Sequence, residues 1–233
     1  MAWLDDQRAN LIAAIALSAE HRWDAHTWQL PHVLWRFFFV RGHVRDWIDT
    51  HLLALDAARS AGDPGAPAET MKNLGFAYWR AGHLSEALKH HSRALVLDQE
   101  SGDRWGEAKT HNHLGFIYDR SGRFAEALDQ QHRSLALYEE VDDRCGQGRA
   151  LIGIGNAYRQ IDQHAASVVP LKRALAITRD IDSMADDGLI EDACHAGTHH
   201  GREAVFSALG LHTRLQRALA REGGVPEPSP CSP

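Results

Sequence analysis

The chain aligns with itself, without gaps, at a shift of 40 residues, and few folds can satisfy that constraint. Leu34, Leu74, Leu114 and Ile154 share one column, and Trp35, Gly75, Gly115 and Gly155 the next. Phe38, Tyr78, Tyr118 and Tyr158 form a third column, and Gly42, Gly82, Gly122 and Asp162 a fourth. Trp47/Ala87/Ala127/Ser167, Ala54/Ala94/Ser134/Ala174 and Leu55/Leu95/Leu135/Leu175 continue the register. One such column could arise by chance, but not this many in phase.

Inside a unit the spacing is helical. Leu74 and Tyr78 are four apart and share a face. Leu84, Ala87, Leu88, His91, Ala94 and Leu95 step by three and four, which draws one stripe on a second helix. Gly82 lies between the two runs and suits the position just past a helix end, where a positive φ is needed. Each unit therefore reads as helix A, a tight turn and helix B. The next turn is Ser101-Gly102-Asp103-Arg104 or Val141-Asp142-Asp143-Arg144, rich in residues that favour turns and helix starts. Gly75 and Ala87 are small where a large side chain would push A off B. One hairpin cannot bury its apolar stripe alone, so the hairpins must stack.

The register also sets the expected organisation. Residues 1–22 read as an amphipathic capping helix, 23–183 as four repeats, 184–201 as an irregular linker, 202–221 as a closing helix and 222–233 as a disordered tail. Pro31 and Pro170 fall inside helices, where a local bend is expected.

Leu74-Gly75-x-x-Tyr78, Gly82, Ala87, His91 and Ala94, and likewise Leu114-Gly115-x-x-Tyr118, Gly122, Phe124, Ala127 and Ser134, resemble the tetratricopeptide repeat. The resemblance covers residues 24–183 and implies an all-α, right-handed superhelical stack of antiparallel helix hairpins. The departures are a longer unit, about 40 residues against about 34, and a missing closing proline. A second resemblance is narrower. Trp3-Leu4-Asp5-Asp6-Gln7-Arg8-Ala9-Asn10-Leu11, then Leu34-Trp35-Arg36-Phe37-Phe38 and Arg41-Gly42-His43, look like the start of the repeat portion of actinobacterial signal-transducing ATPases, which include antibiotic regulatory proteins. In those proteins a nucleotide-binding switch module comes first. This chain has no GxxxxGK[ST] and so no phosphate-binding loop of that kind. The resemblance implies the sensor or regulatory part of a bacterial signalling or transcriptional regulator, acting in the cytoplasm.

Composition narrows the function classes. The net charge is −6, and Arg residues are interleaved with Asp and Glu, so no basic patch for direct nucleic-acid binding is expected. The longest apolar run, Leu11–Leu17, is far short of the ~20 residues a membrane span needs, and the first residues lack the features of a secretory signal. Cys145, Cys194 and Cys231 are odd in number and widely spaced, which supports neither a disulfide framework nor a zinc site and fits a reducing compartment. Among 16 histidines, only Cys194, His195, His199 and His200 have metal-like content, and Gly197 weakens the helix that would hold them. No metal, cofactor or catalytic set is expected. His91 takes the aromatic place of helix B and reads as packed, while His90 and His111 read as surface residues.

The repeat implies that helix A residues off the A–B seam line an inner groove. Those places are His32, Arg36 and Phe39, then Lys72, Phe76 and Trp79, then Lys109, Asn112, Phe116 and Asp119, then Arg149, Ile152, Asn156 and Arg159. The candidate partner-binding set is Arg36, Phe39, Lys72, Phe76, Trp79, Asn112, Phe116, Asp119, Asn156 and Arg159, because aromatic and Arg side chains dominate binding energy. Phe76 and Phe116 serve equally well as packing between units. They also stand where a chaperone-tail clamp would have asparagine, so that subtype is not expected. The expected function is a protein–protein interaction module; the alternative is a peptide or small-molecule receptor using the same groove. The sequence leaves the oligomeric state open.

Overall fold

The computed structural model describes residues 2–186. They form nine α-helices: α1 (Ala2–Glu20), α2 (Asp24–Arg41), α3 (Val44–Ser60), α4 (Ala66–Ala81), α5 (Leu84–Ser101), α6 (Arg104–Arg120), α7 (Phe124–Glu140), α8 (Arg144–Gln160) and α9 (His164–Asp186). The chain divides into two compact units, Met1–Asp142 and a second that begins at Asp143. In the first unit the antiparallel pairs are α2/α3, α4/α5 and α6/α7, preceded by α1; in the second the pair is α8/α9. The all-α hairpin architecture is the one the register implies. Helix α9 runs to Asp186, past the expected boundary at 183. The expected closing helix, the tail and the Cys194/His195/His199/His200 cluster lie outside the described residues.

The turns repeat at half the sequence period. Positive φ occurs at Arg22, Gly42, Gly62, Gly82, Gly102, Gly122, Asp142 and Asp162, one every 20 residues. Each ends a helix, so A–B and B–A turns use the same device. At Gly82 (φ 85°) the following His83 N–H donates to the Tyr78 carbonyl at 2.9 Å, closing the last turn of α4. The B–A turns add a cap: the Asp103 and Asp143 carboxylates accept from the Gly106 and Gly146 N–H groups at 2.9 and 2.8 Å.

The seam within the last three hairpins depends on a missing side chain. A Cβ added to Gly75 would lie 2.7 Å from the His91 ring, closer than real Cβ contacts come. Gly115 meets Gln131 and Gly155 meets Leu171 in the same way. In the first hairpin Trp35 stands at this column and stacks on Trp47, ring centroids 6.2 Å apart. The extra volume there joins a core of Ile15, Leu34, Phe37, Phe38, Trp47 and Ala77. A second core holds Leu55, Met71, Leu74 and Ala94. In the second unit Cys145, at the start of α8, is disulfide-bonded, whereas the odd count and wide spacing of the cysteines give no sequence reason to expect a bond.

Two substitutions check this account with opposite signs. Gly75→Ala drives a methyl into the His91 ring and lowers stability by about 1–3 kcal/mol, the usual cost of overpacking. Asp142→Gly removes the Cβ strain of a left-handed residue and raises stability by about 1 kcal/mol. Urea denaturation of each variant against wild type measures both.

Candidate functional site

Seam columns place the remaining faces of the A helices. In the first unit, aromatic side chains gather on α2 and α4. Phe76 stacks on Phe39 (5.5 Å, interplanar angle 15°), on Trp79 (5.3 Å, 18°) and on His113 (5.4 Å, 7°). It also meets the edges of Trp35 and Trp47. Phe76 therefore packs between adjacent hairpins, one of the two roles its spacing allows. The outer sides of this run carry cations: the Arg80 guanidinium lies 5.8 Å above Phe39, and that of Arg120 lies 5.3 Å above Trp79.

Beneath the aromatic run is a buried ionic network. Lys72 Nζ lies 3.0 Å from Asp98 Oδ1 and 2.9 Å from Glu69 Oε1. The Thr110 hydroxyl donates to the other Asp98 oxygen at 2.8 Å, and Lys109 Nζ reaches Glu69 at 3.0 Å. Burial lowers the Lys72 pKa, but Glu69 and Asp98 outweigh it and the pKa lies above its ordinary value. Burial raises the Glu69 carboxyl, yet Lys109 and Lys72 together bring it down to about 2. Burial pushes the Asp98 carboxyl up against the pull of Lys72 and Thr110. The short contacts on both of its oxygens favour the ionised pair at neutral pH.

Burial corrects two of the sequence assignments. Lys72 is 1% exposed and ties α4 to α5 rather than lining an open face. Asn112 is 3% exposed and donates to the Gln131 side chain at 2.9 Å. Both are structural. Arg36, Phe39, Phe76, Trp79, Phe116 and Asp119 are half-buried on the A helices of the first unit. Asn156 and Arg159 are half-buried on α8 of the second unit, where Arg159 donates to the Asn156 side-chain oxygen Oδ1 at 3.4 Å.

Three of the groups on the first unit's face lack an internal partner. The Asp119 carboxylate has no hydrogen bond or ion pair among the described residues, and burial alone raises its pKa. Arg36 has none either. The Trp79 indole N–H has no acceptor. Trp79 and Asp119 occupy one column in successive hairpins, so a donor and an acceptor stand unsatisfied one repeat apart.

The histidines divide differently from the sequence expectation. His91 is fully buried, as its aromatic place implies. His111 is buried as well, with Nδ1 2.7 Å from the Gln130 side chain, and is not a surface residue. His90 is half-buried and stacks on Tyr78 at 5.4 Å. His51 is buried, and its Nδ1 lies 2.9 Å from the Trp47 carbonyl. Burial holds both His51 and His91 down to about 3.

A family model for the tetratricopeptide repeat matches residues 106–180. Such repeats form a scaffold that generally serves protein–protein interaction and is typically non-catalytic. BtubC (BKLC) from P. vanneervenii has a similar structure, with TM-score 0.64, 20% identity and coverage of 97% of this chain and 96% of that one. The apo form of RapI is similar at TM-score 0.62 and 12% identity, covering 82% and 71% of the two chains. A putative kinesin light chain from Podosopora anserina with nearly identical TPR-like repeats is similar at 0.57 and 15%, covering 82% and 90%. These likenesses concern the fold. No curated protein sequence matches the chain. Among the described residues no helix is long and apolar enough to cross a membrane.

The buried histidines set an acid limit. Unfolded histidine titrates near 6.5, so the unfolded chain takes up protons that His51 and His91 refuse until about pH 3. Stability is complete above pH 6.5 and falls through the window below it, by about 2 kcal/mol per histidine at pH 5. Urea midpoints at pH 7 and pH 5 measure the fall, and His91→Leu, the residue at this column in the last hairpin, removes about half of it.

Proposed function

We propose that the first unit's A-helix face around Trp79 and Asp119 binds a polypeptide segment, and that the chain is the sensor or regulatory part of a bacterial regulator. The observation that carries the binding role is the unpaired, half-buried Asp119 carboxylate. A desolvated charge without a partner costs free energy in the free protein, and a bound cationic group returns it. Among the buried charges near this face, Glu69, Lys72 and Lys109 are already paired internally.

The chemistry of the partner follows from the same residues. Asp119 takes an ammonium or guanidinium group, and Arg36 takes a carboxylate or a backbone carbonyl. The Trp79 N–H takes a carbonyl, and the edge of its ring takes an apolar side chain. A polypeptide offers all of these along one strand. Stacking consumes the Leu, Gly and Tyr columns, which vary little between units. The column of Phe39, Trp79, Asp119 and Arg159 changes its chemistry in every unit, which packing does not demand. The regulatory role rests on the resemblance of Trp3–Leu11 and Leu34–His43 to the repeat portion of signal-transducing ATPases.

The test is affinity capture of the partner followed by titration against variants. Trp79→Ala and Asp119→Asn are each expected to weaken binding by about 2 kcal/mol or more, the loss typical of a hot spot. Equal binding by both variants with an unchanged circular dichroism melt would place the partner elsewhere. A captured partner that proves to be a small molecule or a free peptide would favour a receptor at the same face.

A further inference from the structure

A connected stack of side chains crosses the first unit's A helices and ends in a cation on either side. The Arg80 guanidinium lies 5.8 Å over Phe39, Phe39 stacks on Phe76 at 5.5 Å, Phe76 stacks on Trp79 at 5.3 Å, and the Arg120 guanidinium lies 5.3 Å over Trp79. Arg80 and Arg120 stand one repeat apart in a column that holds Val40 in the first hairpin and Gln160 in the last, so packing does not require a cation there. Both are exposed. A guanidinium laid on a ring uses its face for the stack and leaves its edge of N–H donors for a carboxylate. Arg120 spends one donor on the Trp79 carbonyl, and Arg80 has no hydrogen bond or ion pair among the described residues. The rings hold both groups in place, which lowers the entropy lost on binding.

Charge sets the sign of what fits. The chain as a whole carries −6. Around the stack the balance is reversed: Arg36, one turn before Phe39, joins Arg80 and Arg120, and none of the three has an ion pair among the described residues. Against them stands one unpaired carboxylate, Asp119. Such a local surplus draws and orients an acidic partner. A nucleic acid fits less well, because base stacking needs a free ring face. Phe76 already lies against Phe39, Trp79 and His113, and Arg120 covers the other face of Trp79. The spacing suits a polypeptide. Helices α4 and α6 are in contact, and packed helices lie about 8–10 Å apart. Residues three apart in an extended polyproline-type chain share an edge and are separated by about 9 Å.

We propose, resting on the reading of the Trp79/Asp119 face as a polypeptide site, that Arg80 and Arg120 each pair with an acidic side chain of the bound segment, the two acids about three residues apart. The segment then carries carboxylates for the ends of the stack as well as the cation that Asp119 takes.

Calorimetric titration of the full chain with synthetic peptides tests the proposal. The probe is a run of Glu-Gly-Gly repeats, capped at both ends so that no terminal carboxylate takes part. It is expected to bind at least about tenfold more tightly than Gln-Gly-Gly or Lys-Gly-Gly peptides of equal length, and to weaken as salt rises. Arg80→Gln and Arg120→Gln are each expected to weaken it about tenfold, the loss of one charge-assisted pair, with an unchanged melt because both side chains are exposed. Arg93→Gln, exposed on α5, is expected to leave it unchanged. Asp119→Asn removes the unpaired carboxylate of this face and is expected to tighten the Glu peptide, opposite to its effect on a captured partner. A Glu peptide that does not bind, or that binds no better than the Gln peptide, overturns the proposal. So does undiminished binding by both Arg variants, or tighter binding of a single-stranded oligothymidylate. If the Glu peptide fails while Trp79→Ala still weakens a captured partner, the polypeptide site stands and its acid preference falls.

Discussion

The close approach of helix A to helix B at Gly75, Gly115 and Gly155 is the contact on which the rest of the structure depends. With no Cβ at these positions, the B-helix side chains His91, Gln131 and Leu171 lie directly on the A-helix backbone. That proximity fixes which face of A turns toward B. It thereby fixes which face is left for the neighbouring hairpin and which for a partner. The three occupants facing the glycines differ in polarity but share one site, and each finds its own solution. Gln131 hydrogen-bonds with Asn112, Leu171 packs, and His91 stays neutral with neither ring nitrogen bonded. The geometry of the seam is thus held constant while its chemistry varies, and about half of the acid sensitivity of the fold is a by-product of the choice of His91.

The buried charges at α4, α5 and α6 do a different job. Lys72, Asp98 and Thr110 come from three successive helices, and Glu69 with Lys109 spans the first and third of them. Such a network rarely adds stability over an apolar core, because desolvation offsets the Coulomb attraction. It does demand one arrangement of the three helices, since a shifted hairpin would strand a charge. His32, whose Nδ1 lies 3.2 Å from the Asn73 amide nitrogen, makes a lighter contact of the same kind between α2 and α4. In an array of near-identical hairpins, polar contacts that occur once distinguish one junction from the next.

The repeat, the hairpins and the A–B turns are legible in the sequence because each rests on a column of similar residues. The B–A turn is legible only in part. Its left-handed residue is glycine at Gly62 and Gly102 but Arg22 and Asp142 elsewhere, so the column looks unrelated until φ is known. The inner positions fared unevenly for a geometric reason. Spacing from Leu-Gly assigns a face, but not the depth at which a neighbouring helix covers it. Lys72 and Asn112 are expected off the A–B seam, but their partners Asp98 and Gln131 lie on the B helix of the same hairpin, so both turn toward the seam and are buried there. A signal was available: Asp98 stands in a column otherwise held by Ala58, Tyr138 and Thr178, and a carboxylate there needs a cation. His111 was misplaced for the same lack of depth information.

What remains open on the first unit's face is defined by what the fold has already used. Phe76 contacts five rings, and its removal would loosen two hairpins, so it is poorly placed to act as a separable binding residue. Trp79 has one ring face on Phe76 and the other under Arg120. Arg120 is exposed and makes its remaining contact with the Trp79 carbonyl at 3.4 Å, so displacing it costs little. Asp119 has nothing to give up. A ligand therefore gains most where these two meet, by satisfying a donor and an acceptor that packing leaves over, and least at the aromatic centre, where every ring already has its neighbours.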